Sequence, residues 1–133
     1  METIRLPFKI GSLYGGCAKL EGFVILEAEH LTLEYRMSDN LLGGLWAGNI
    51  TRKSVAYRDL DRADYGLGFF LPRLHLTARS LSAFHDLPTA DGATLKLSIP
   101  WGYRHQLRSL TSTINLQLSF HEADRYRDKL GSI

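Results

Sequence analysis

The sequence contains a single cysteine, Cys17, among its 133 residues. An intramolecular disulfide is therefore impossible, and zinc sites built from paired cysteines are excluded. The chain has no run of about 18 apolar residues that could cross a bilayer. Residues 1–16 also lack the apolar stretch of a signal peptide. These absences predict a cytoplasmic protein.

The chain also has little excess charge of either sign. Its 16 Lys and Arg residues stand against 14 Asp and Glu residues, which gives a formal net charge of +2. No uninterrupted Lys/Arg run of about five is present to attract phosphate groups. The sequence therefore predicts no nucleic-acid partner.

The remaining composition is that of one ordinary globular domain. Hydrophobic residues make up 44% of the chain and charged residues 23%, which excludes large-scale disorder. We find no internal repeat and no linker, so residues 1–133 are predicted to fold as a single domain.

Alternating apolar residues predict a mainly β domain of about seven antiparallel strands, arranged as a small barrel or sandwich. The clearest signal is a hairpin with a polar connection at Glu27–His30. An N-terminal strand carries Pro7, which should confine it to a sheet edge or a strand end. The predicted strand segments are Thr3–Ile10, Gly22–Met37 (two strands), Ser54–Tyr57, Phe69–Arg79, Ala83–Pro88 and Thr94–Ile99.

From residue 103 the apolar period changes to three- and four-residue steps. The stripe predicts an amphipathic helix over residues 103–120, and Pro100 with Gly102 supplies its start. The charged tail, residues 121–133, extends that helix or frays. A strand over residues 114–120 is the alternative, because apolar residues also alternate there. The helical stripe consists of Tyr103, Leu107, Leu110, Ile114 and Leu118.

An apolar stretch interrupts the Gly- and Asn-rich segment Asp39–Asn49, which we predict to be a loop. Bulky apolar side chains in such a loop are a packing error unless something covers them. Burial within the monomer, contact with a second subunit and contact with a membrane interface are the alternatives. The side chains concerned are Leu41, Leu42, Leu45 and Trp46.

Four stretches follow one another in a recognisable order: Gly22–Leu26 with Leu31–Tyr35, Val55–Leu60, Phe70–Leu76, and the helix from Arg104. In this order they resemble the pleckstrin-homology-like (PH-like) superfold, in particular its bacterial and GRAM-type members. The likeness covers about residues 20–120, and Arg58 departs from it where proline is frequent. Residues 1–19 lie outside the match and would add a strand and a loop.

The resemblance implies a non-catalytic interaction or scaffolding module, with the terminal helix capping the open end of the barrel. It also directs attention to the first hairpin loop, where lipid-binding members carry Lys and Arg residues. Glu27–His30, taken as that loop, is acidic and would repel a phosphorylated head group. Phosphoinositide binding is therefore disfavoured, while peripheral membrane contact stays open.

For each candidate catalytic group, a structural role is favoured over a catalytic one. His85 and Asp86 could form an acid/base pair, but Asp86 before Leu87-Pro88 is typical of turn chemistry. Cys17 follows two glycines, yet no base accompanies it. The five histidines show no metal-binding spacing. We therefore predict no enzymatic activity, no cofactor and no metal.

The remaining candidate surface is basic. Arg52, Lys53 and Arg58 could face an acidic partner together with Arg62 and Arg73, although neighbouring aspartates favour a solvated surface of mixed charge. We expect the interaction surface to comprise Leu41, Leu42, Leu45, Trp46, Arg52, Lys53 and Arg58. The function expected is binding of a protein partner or self-association into a homo-oligomer. A calycin-like carrier of a small apolar ligand is the alternative, and a small enzyme using His85 and Asp86 is a weaker one.

Overall fold

The computed structural model describes residues 4–13, 18–39, 45–67, 72–84, 87 and 92–131. Seven strands form one antiparallel sheet, and a single helix follows them, which confirms the mainly β class. The strands are β1 (Ile4–Leu13), β2 (Ala18–Leu26), β3 (His30–Asp39), β4 (Leu45–Ala56), β5 (Leu60–Leu67), β6 (Pro72–Ala78) and β7 (Thr94–Ser98). Short 3₁₀ helices at Tyr57–Asp59 and Trp101–Tyr103 precede β5 and the helix α1 (Arg104–Gly131).

The strand order β4-β3-β2-β1-β7-β6-β5 divides the sheet into two meanders. β1 to β4 pair in sequence, and so do β5 to β7, while the pairing of Lys9 with Ser98 joins the two groups. The sheet is not closed into a barrel, because β4 and β5 remain as its edges. The predicted barrel is therefore an open, seven-stranded sheet with one helix.

The position of β1 differs from the sequence prediction. Pro7 predicts a sheet edge or a strand end, but β1 lies in the middle of the sheet between β2 and β7, with Pro7 inside the strand. Pro7 is tolerated there because β1 pairs with β7 at Lys9, so that next to Pro7 only the β2 side is paired. β1 therefore joins the two meanders.

Three further boundaries differ from the predictions. β4 already begins at Leu45, within the predicted loop, and the strand β5 was missed. β5 is an edge strand with three charged residues among its eight, and a bulge between Leu60 and Arg62 breaks its alternation. Instead of the strand expected at Ala83–Pro88, the described residues form turns, and Phe84 is fully buried.

Helix α1 packs one face against the core, as its three- and four-residue periodicity predicts. Thr111 joins the buried face by donating its hydroxyl to the Leu107 carbonyl at 2.8 Å. Tyr103, by contrast, is exposed and belongs to the 3₁₀ helix. The helix continues through the charged tail to Gly131, so the strand alternative for residues 114–120 is wrong. The buried stripe consists of Leu107, Leu110, Thr111, Ile114 and Leu118.

Asn115 fastens α1 to the edge strand β5. Its side-chain amide donates to the Ala63 carbonyl at 2.8 Å, and its Oδ1 accepts from the Ala63 N–H at 3.1 Å. The amide therefore acts as one residue of an additional strand, and it satisfies both backbone groups of Ala63. This contact covers part of an edge that would otherwise be open for pairing with another chain.

At Gly22, β2 lies so close to β3 that there is no room for a side chain. A Cβ built on Gly22 would overlap the Glu34 carbonyl oxygen and lie 2.7 Å from the Tyr35 Cα. Both atoms belong to the backbone of β3, where Tyr35 is the register partner of Gly22. Only a residue without a side chain fits this position in β2.

Tyr57 joins the end of β4 to the turn between β2 and β3. The side chain is fully buried, and its hydroxyl donates to the Glu27 carbonyl at 2.7 Å. Its ring centroid lies 6.0 Å from that of His121 on α1. Burial, together with the nearby charges of Glu27 and Glu29, raises the pKa of Tyr57 to about 12.

We expect Tyr57 to make the protein sensitive to alkali. The folded state keeps the phenol proton up to about pH 12, whereas an unfolded tyrosine loses it near pH 10. The protonated phenol therefore contributes about 1 to 3 kcal/mol to the free energy of unfolding. This contribution is complete below about pH 10 and is lost as the pH rises toward 12. Tyr57→Phe should flatten the alkaline fall in the free energy of unfolding, measured by urea titration at several pH values. Tyr126→Phe, at an exposed position, is the control; an equal flattening there would contradict the role of Tyr57.

Candidate interaction site

A groove of about 340 Å³ runs across the outer face of the β1–β4 meander, on the side of the sheet away from the apolar core. It crosses the strands at the level of Gly22, where β2 and β3 leave no room for a side chain on that residue. The apolar residues that line it include Pro7, Phe23, Ile50 and Pro100. Phe23 is 37% exposed and Ile50 is 61% exposed, so the apolar surface is open to a partner.

Strand alternation brings mainly basic side chains to this same face. A network centred on Glu34 orders part of it. Arg52 reaches Glu34 Oε2 at 2.7 Å through Nη2, and Arg5 lies 3.5 Å from Oε1. The Arg5 guanidinium also lies 4.2 Å from the centroid of the Phe23 ring. The described outer face carries five basic side chains (Arg5, Lys9, Lys19, Arg36 and Arg52) and two acidic ones (Glu21 and Glu34).

A second hollow, of about 140 Å³, lies where α1 begins. It is lined by two aromatic rings and three basic side chains, namely Tyr65, Trp101, Arg104, His105 and Arg108. Each arginine packs on a ring: the Arg104 guanidinium carbon lies 4.7 Å from the Trp101 centroid, and that of Arg108 lies 5.9 Å from the Tyr65 centroid. We call this feature the aromatic cradle.

Helix α1 has apolar side chains on the side opposite its buried stripe. Leu116 and Phe120 are about half exposed, and Tyr126 and Leu130 are more so. Their exposure explains why the apolar pattern of residues 114–120 is ambiguous in the sequence, since both faces of the helix carry apolar residues there. Nothing among the described residues covers this outer side.

The structure separates the residues of the predicted interaction surface. Leu41 and Leu42 lie outside the described residues, while Leu45 and Trp46 belong to β4, whose side chains are described only from Ile50 onward. Arg52 lies on the outer face, and Lys53, the next residue of β4, lies on the opposite face.

The other basic candidates do not join Arg52. The Arg58 carbonyl accepts from Arg125 of α1 at 3.3 Å. Arg62 of β5 pairs with Asp64 at 3.4 Å, and Arg73 lies on β6, so both are in the second meander. The predicted basic surface is thus distributed over both parts of the sheet.

The candidate catalytic residues stay predictions. Cys17, His85 and Asp86 all lie outside the described residues. Of the described histidines, His30 pairs with Glu27 at 2.9 Å, and His121 lies against the Tyr57 ring. Within the described ranges, no three His, Cys, Asp or Glu side chains come together as they would around a metal ion.

The acidic turn at Glu27–His30 is not the first hairpin loop of this fold. It joins β2 to β3, whereas the first connection, residues 14–17, lies between β1 and β2 and outside the described residues. The charge argument against phosphoinositide binding therefore applies to the second hairpin. That the protein does not bind phosphoinositides stays a prediction, and the charge of the first hairpin loop no longer supports it.

Sequence reasoning missed the groove and the aromatic cradle. Phe23 and Pro7 were interpreted as ordinary strand residues, and Tyr65 belongs to the strand that was not predicted. One signal was present: Arg104 and Arg108 are four residues apart and therefore share one face of a helix. Trp101 shortly before them would have marked an aromatic and basic cluster.

Comparison with known proteins gives no match to this chain among protein-family models, curated proteins or solved structures. Across the described residues, no helix combines the length and the apolar character needed to cross a bilayer. The function must therefore be inferred from the geometry of the surfaces themselves.

Proposed function

We propose that the protein is a non-catalytic interaction module of PH-like architecture that binds an acidic segment of another protein. The groove on the outer face of the β1–β4 meander is the proposed binding surface. The observation that carries the proposal is its combination of exposed apolar side chains with an excess of positive charge. We thus place the partner protein at the groove and predict that its binding segment is acidic and carries an apolar residue.

The order of the elements supports a PH-like arrangement. A meander of four strands is followed by a meander of three, and a C-terminal helix packs on the sheet. This arrangement is compatible with the PH-like superfold, whose members generally serve as binding modules. The carrier hypothesis receives less support, because the larger hollow lies on the outer face of the sheet and not among the core side chains.

The apolar part of the groove favours a bulky anchor residue in the partner. Pro7, Phe23, Ile50 and Pro100 offer an apolar surface with few flexible atoms. A volume of about 340 Å³ lies within the range of roughly 300–1,000 Å³ that is usual for ligand sites. An aromatic or leucine side chain of the partner would remove this surface from water, which is the main source of affinity in such contacts.

The charge of the outer face favours acidic residues beside that anchor. Five basic and two acidic side chains leave an excess of three positive charges on the described part of the face. Glu34 is already engaged by Arg5 and Arg52, so it offers little attraction to a basic partner. The resulting positive electrostatic potential accelerates association with an acidic segment and disfavours association with a basic one.

A peptide comparison tests this function. The probe is a synthetic peptide with a central Leu-Trp pair between glutamates, and its counterpart carries lysines in place of the glutamates. We expect the acidic peptide to bind and to shift the amide resonances of β1 to β4 in NMR spectra. Ile50→Asp should weaken binding about tenfold or more, since it places a carboxylate in the apolar groove. Fluorescence anisotropy of the labelled peptide measures the affinity.

The matched control is Leu81→Asp, which makes the same kind of change at a leucine that is 75% exposed and outside the groove. Its affinity should equal that of the unaltered protein. Equal weakening by both variants, or equal binding of both peptides, would refute the groove as the site. Binding of a single-stranded oligonucleotide without binding of the peptide would overturn the choice of a protein partner.

Self-association remains a separate prediction. It rests on Leu41, Leu42, Leu45 and Trp46; Leu41 and Leu42 lie outside the described residues, and so do the side chains of Leu45 and Trp46. The exposed outer side of α1 is a further apolar surface, but the groove has the additional feature of charge. We therefore place the proposed binding activity at the groove.

A further inference from the structure

We infer that the aromatic cradle is a second binding site, and that it takes a small aromatic carboxylate. The site is separate from the groove in its residues and in the chemistry of its ligand. It does not depend on the proposed function, because it rests on other residues and on a ligand that is not a protein.

Among the described residues, the hydrogen bonds of each cradle arginine leave one bidentate edge for a ligand. Arg108 uses Nε to donate to the Tyr65 hydroxyl at 3.1 Å, which leaves its two terminal nitrogens. Arg104 uses Nη1 to donate to the Trp101 carbonyl at 3.0 Å, which leaves Nε and Nη2. A pair of parallel N–H groups matches the two oxygens of a carboxylate. The hydrogen bonds that hold the guanidinium groups therefore leave their recognition edges available.

The charge of the cradle is not balanced by carboxylates in the part of the chain that the structure describes. None of the ion pairs there involves Arg104, His105 or Arg108. A ligand anion would therefore meet positive groups that it does not have to share with an acidic side chain. This is the observation that selects an anion as the ligand.

The shape of the cradle selects a flat ring. Two of its five lining residues are aromatic, and Trp101 is 52% exposed, so ring surface is open to a ligand. The hollow of about 140 Å³ is close in size to the cavity of about 150 Å³ that holds benzene in an engineered protein. A benzene ring that carries one carboxylate can thus stack on an aromatic wall while its oxygens face a guanidinium.

The test uses benzoate, with cyclohexanecarboxylate and benzyl alcohol as comparators, in NMR titrations of the full chain. Benzoate should shift the Trp101 indole N–H resonance and bind with a Kd of about 1 mM. Cyclohexanecarboxylate has the charge without the flat ring, and benzyl alcohol has the ring without the charge; both should bind about tenfold more weakly. Phenyl phosphate shows whether another oxyanion is accepted, and tighter binding of it than of benzoate would overturn the choice of a carboxylate.

Variants separate the contributions of the two arginines and the ring. Arg104→Gln and Arg108→Gln should each weaken benzoate about tenfold, while Arg108→Lys, which keeps the charge but not the planar fork, should still lose several-fold. Trp101→Ala should weaken benzoate and leave cyclohexanecarboxylate unchanged. Arg127→Gln removes the same charge at an exposed position near the other end of α1 and should have no effect. Loss of affinity in Arg127→Gln equal to that in Arg108→Gln, or equal binding of all three probes, would overturn the inference.

Discussion

Gly22→Ala is expected to lower the free energy of unfolding by about 3 kcal/mol or more. The added Cβ would occupy the space of the Glu34 carbonyl oxygen. That oxygen belongs to the backbone of β3 and cannot turn away as a side chain could. Relief therefore requires β2 and β3 to separate at the level of Gly22 and Tyr35, which breaks the ladder on both sides of the contact. Urea unfolding followed by circular dichroism measures the loss.

Gly66→Ala is the matched control for this change. Gly66 also lies in a strand, but a Cβ built there meets no atom within 4 Å. Its effect should remain within about 0.5 kcal/mol. If the two variants were equally stable, the close approach of β2 and β3 would not exist in solution. Because Gly22 also lines the groove, a destabilised Gly22→Ala should lose peptide binding as well.

Leu110→Ala is expected to lower the free energy of unfolding by about 3 kcal/mol. Leu110 is fully buried on the face of α1 that packs against the core. Removing its branched end leaves a cavity between the helix and the sheet, because the strands beneath cannot move in to fill it. The measurement is again urea unfolding, with the helical signal near 222 nm as a second readout.

Leu116→Ala provides the comparison on the same helix. Leu116 is 54% exposed, so the same truncation should change stability by no more than about 0.5 kcal/mol. A similar loss in both variants would mean that the outer side of α1 is covered in solution, for example by a second copy of the chain. A concentration-dependent midpoint would then accompany it.

Local pattern was sufficient to predict much of the architecture. The hairpin of β2 and β3 was clear because its apolar residues alternate on both sides of a short polar turn. β7 and the buried stripe of α1 were found for the same reason, since one face of each packs on the core. The class of fold followed from these elements.

The errors arose where partners distant in the sequence decide the structure. Pro7 would be unfavourable in a fully paired central strand, and only the late start of the β1–β7 pairing makes it acceptable. β5 lacks a regular apolar alternation because of its bulge, and it is held by β6 and by the amide of Asn115, which no local pattern reveals. The ambiguity over residues 114–120 has the same origin, because the helix carries apolar residues on two sides.

The candidate sites were less predictable than the fold. The groove depends on the register of four strands, which sets Phe23 and Ile50 on one face. The aromatic cradle requires Tyr65 from β5 to meet Arg108 from α1, residues that are far apart in the chain. Residue types alone could suggest a cation beside an aromatic ring, but the hydrogen bonds that orient both arginines exist only in the folded protein.

The division of the sheet into two meanders also bears on how the chain folds. Within each meander every strand pairs with its neighbour in sequence, so these contacts can form early at a small entropic cost of loop closure. The pairing of Lys9 with Ser98 instead brings together the first and the last strand of the sheet in chain order. Forming the β1–β7 pairing is the step with the largest chain-entropy cost, because it closes the longest loop of the sheet. Substitutions next to this pairing should therefore slow refolding. Substitutions in the turn between β2 and β3 show when that hairpin forms. They should change mainly the refolding rate if the hairpin forms before the β1–β7 pairing, and mainly the unfolding rate if it forms afterwards.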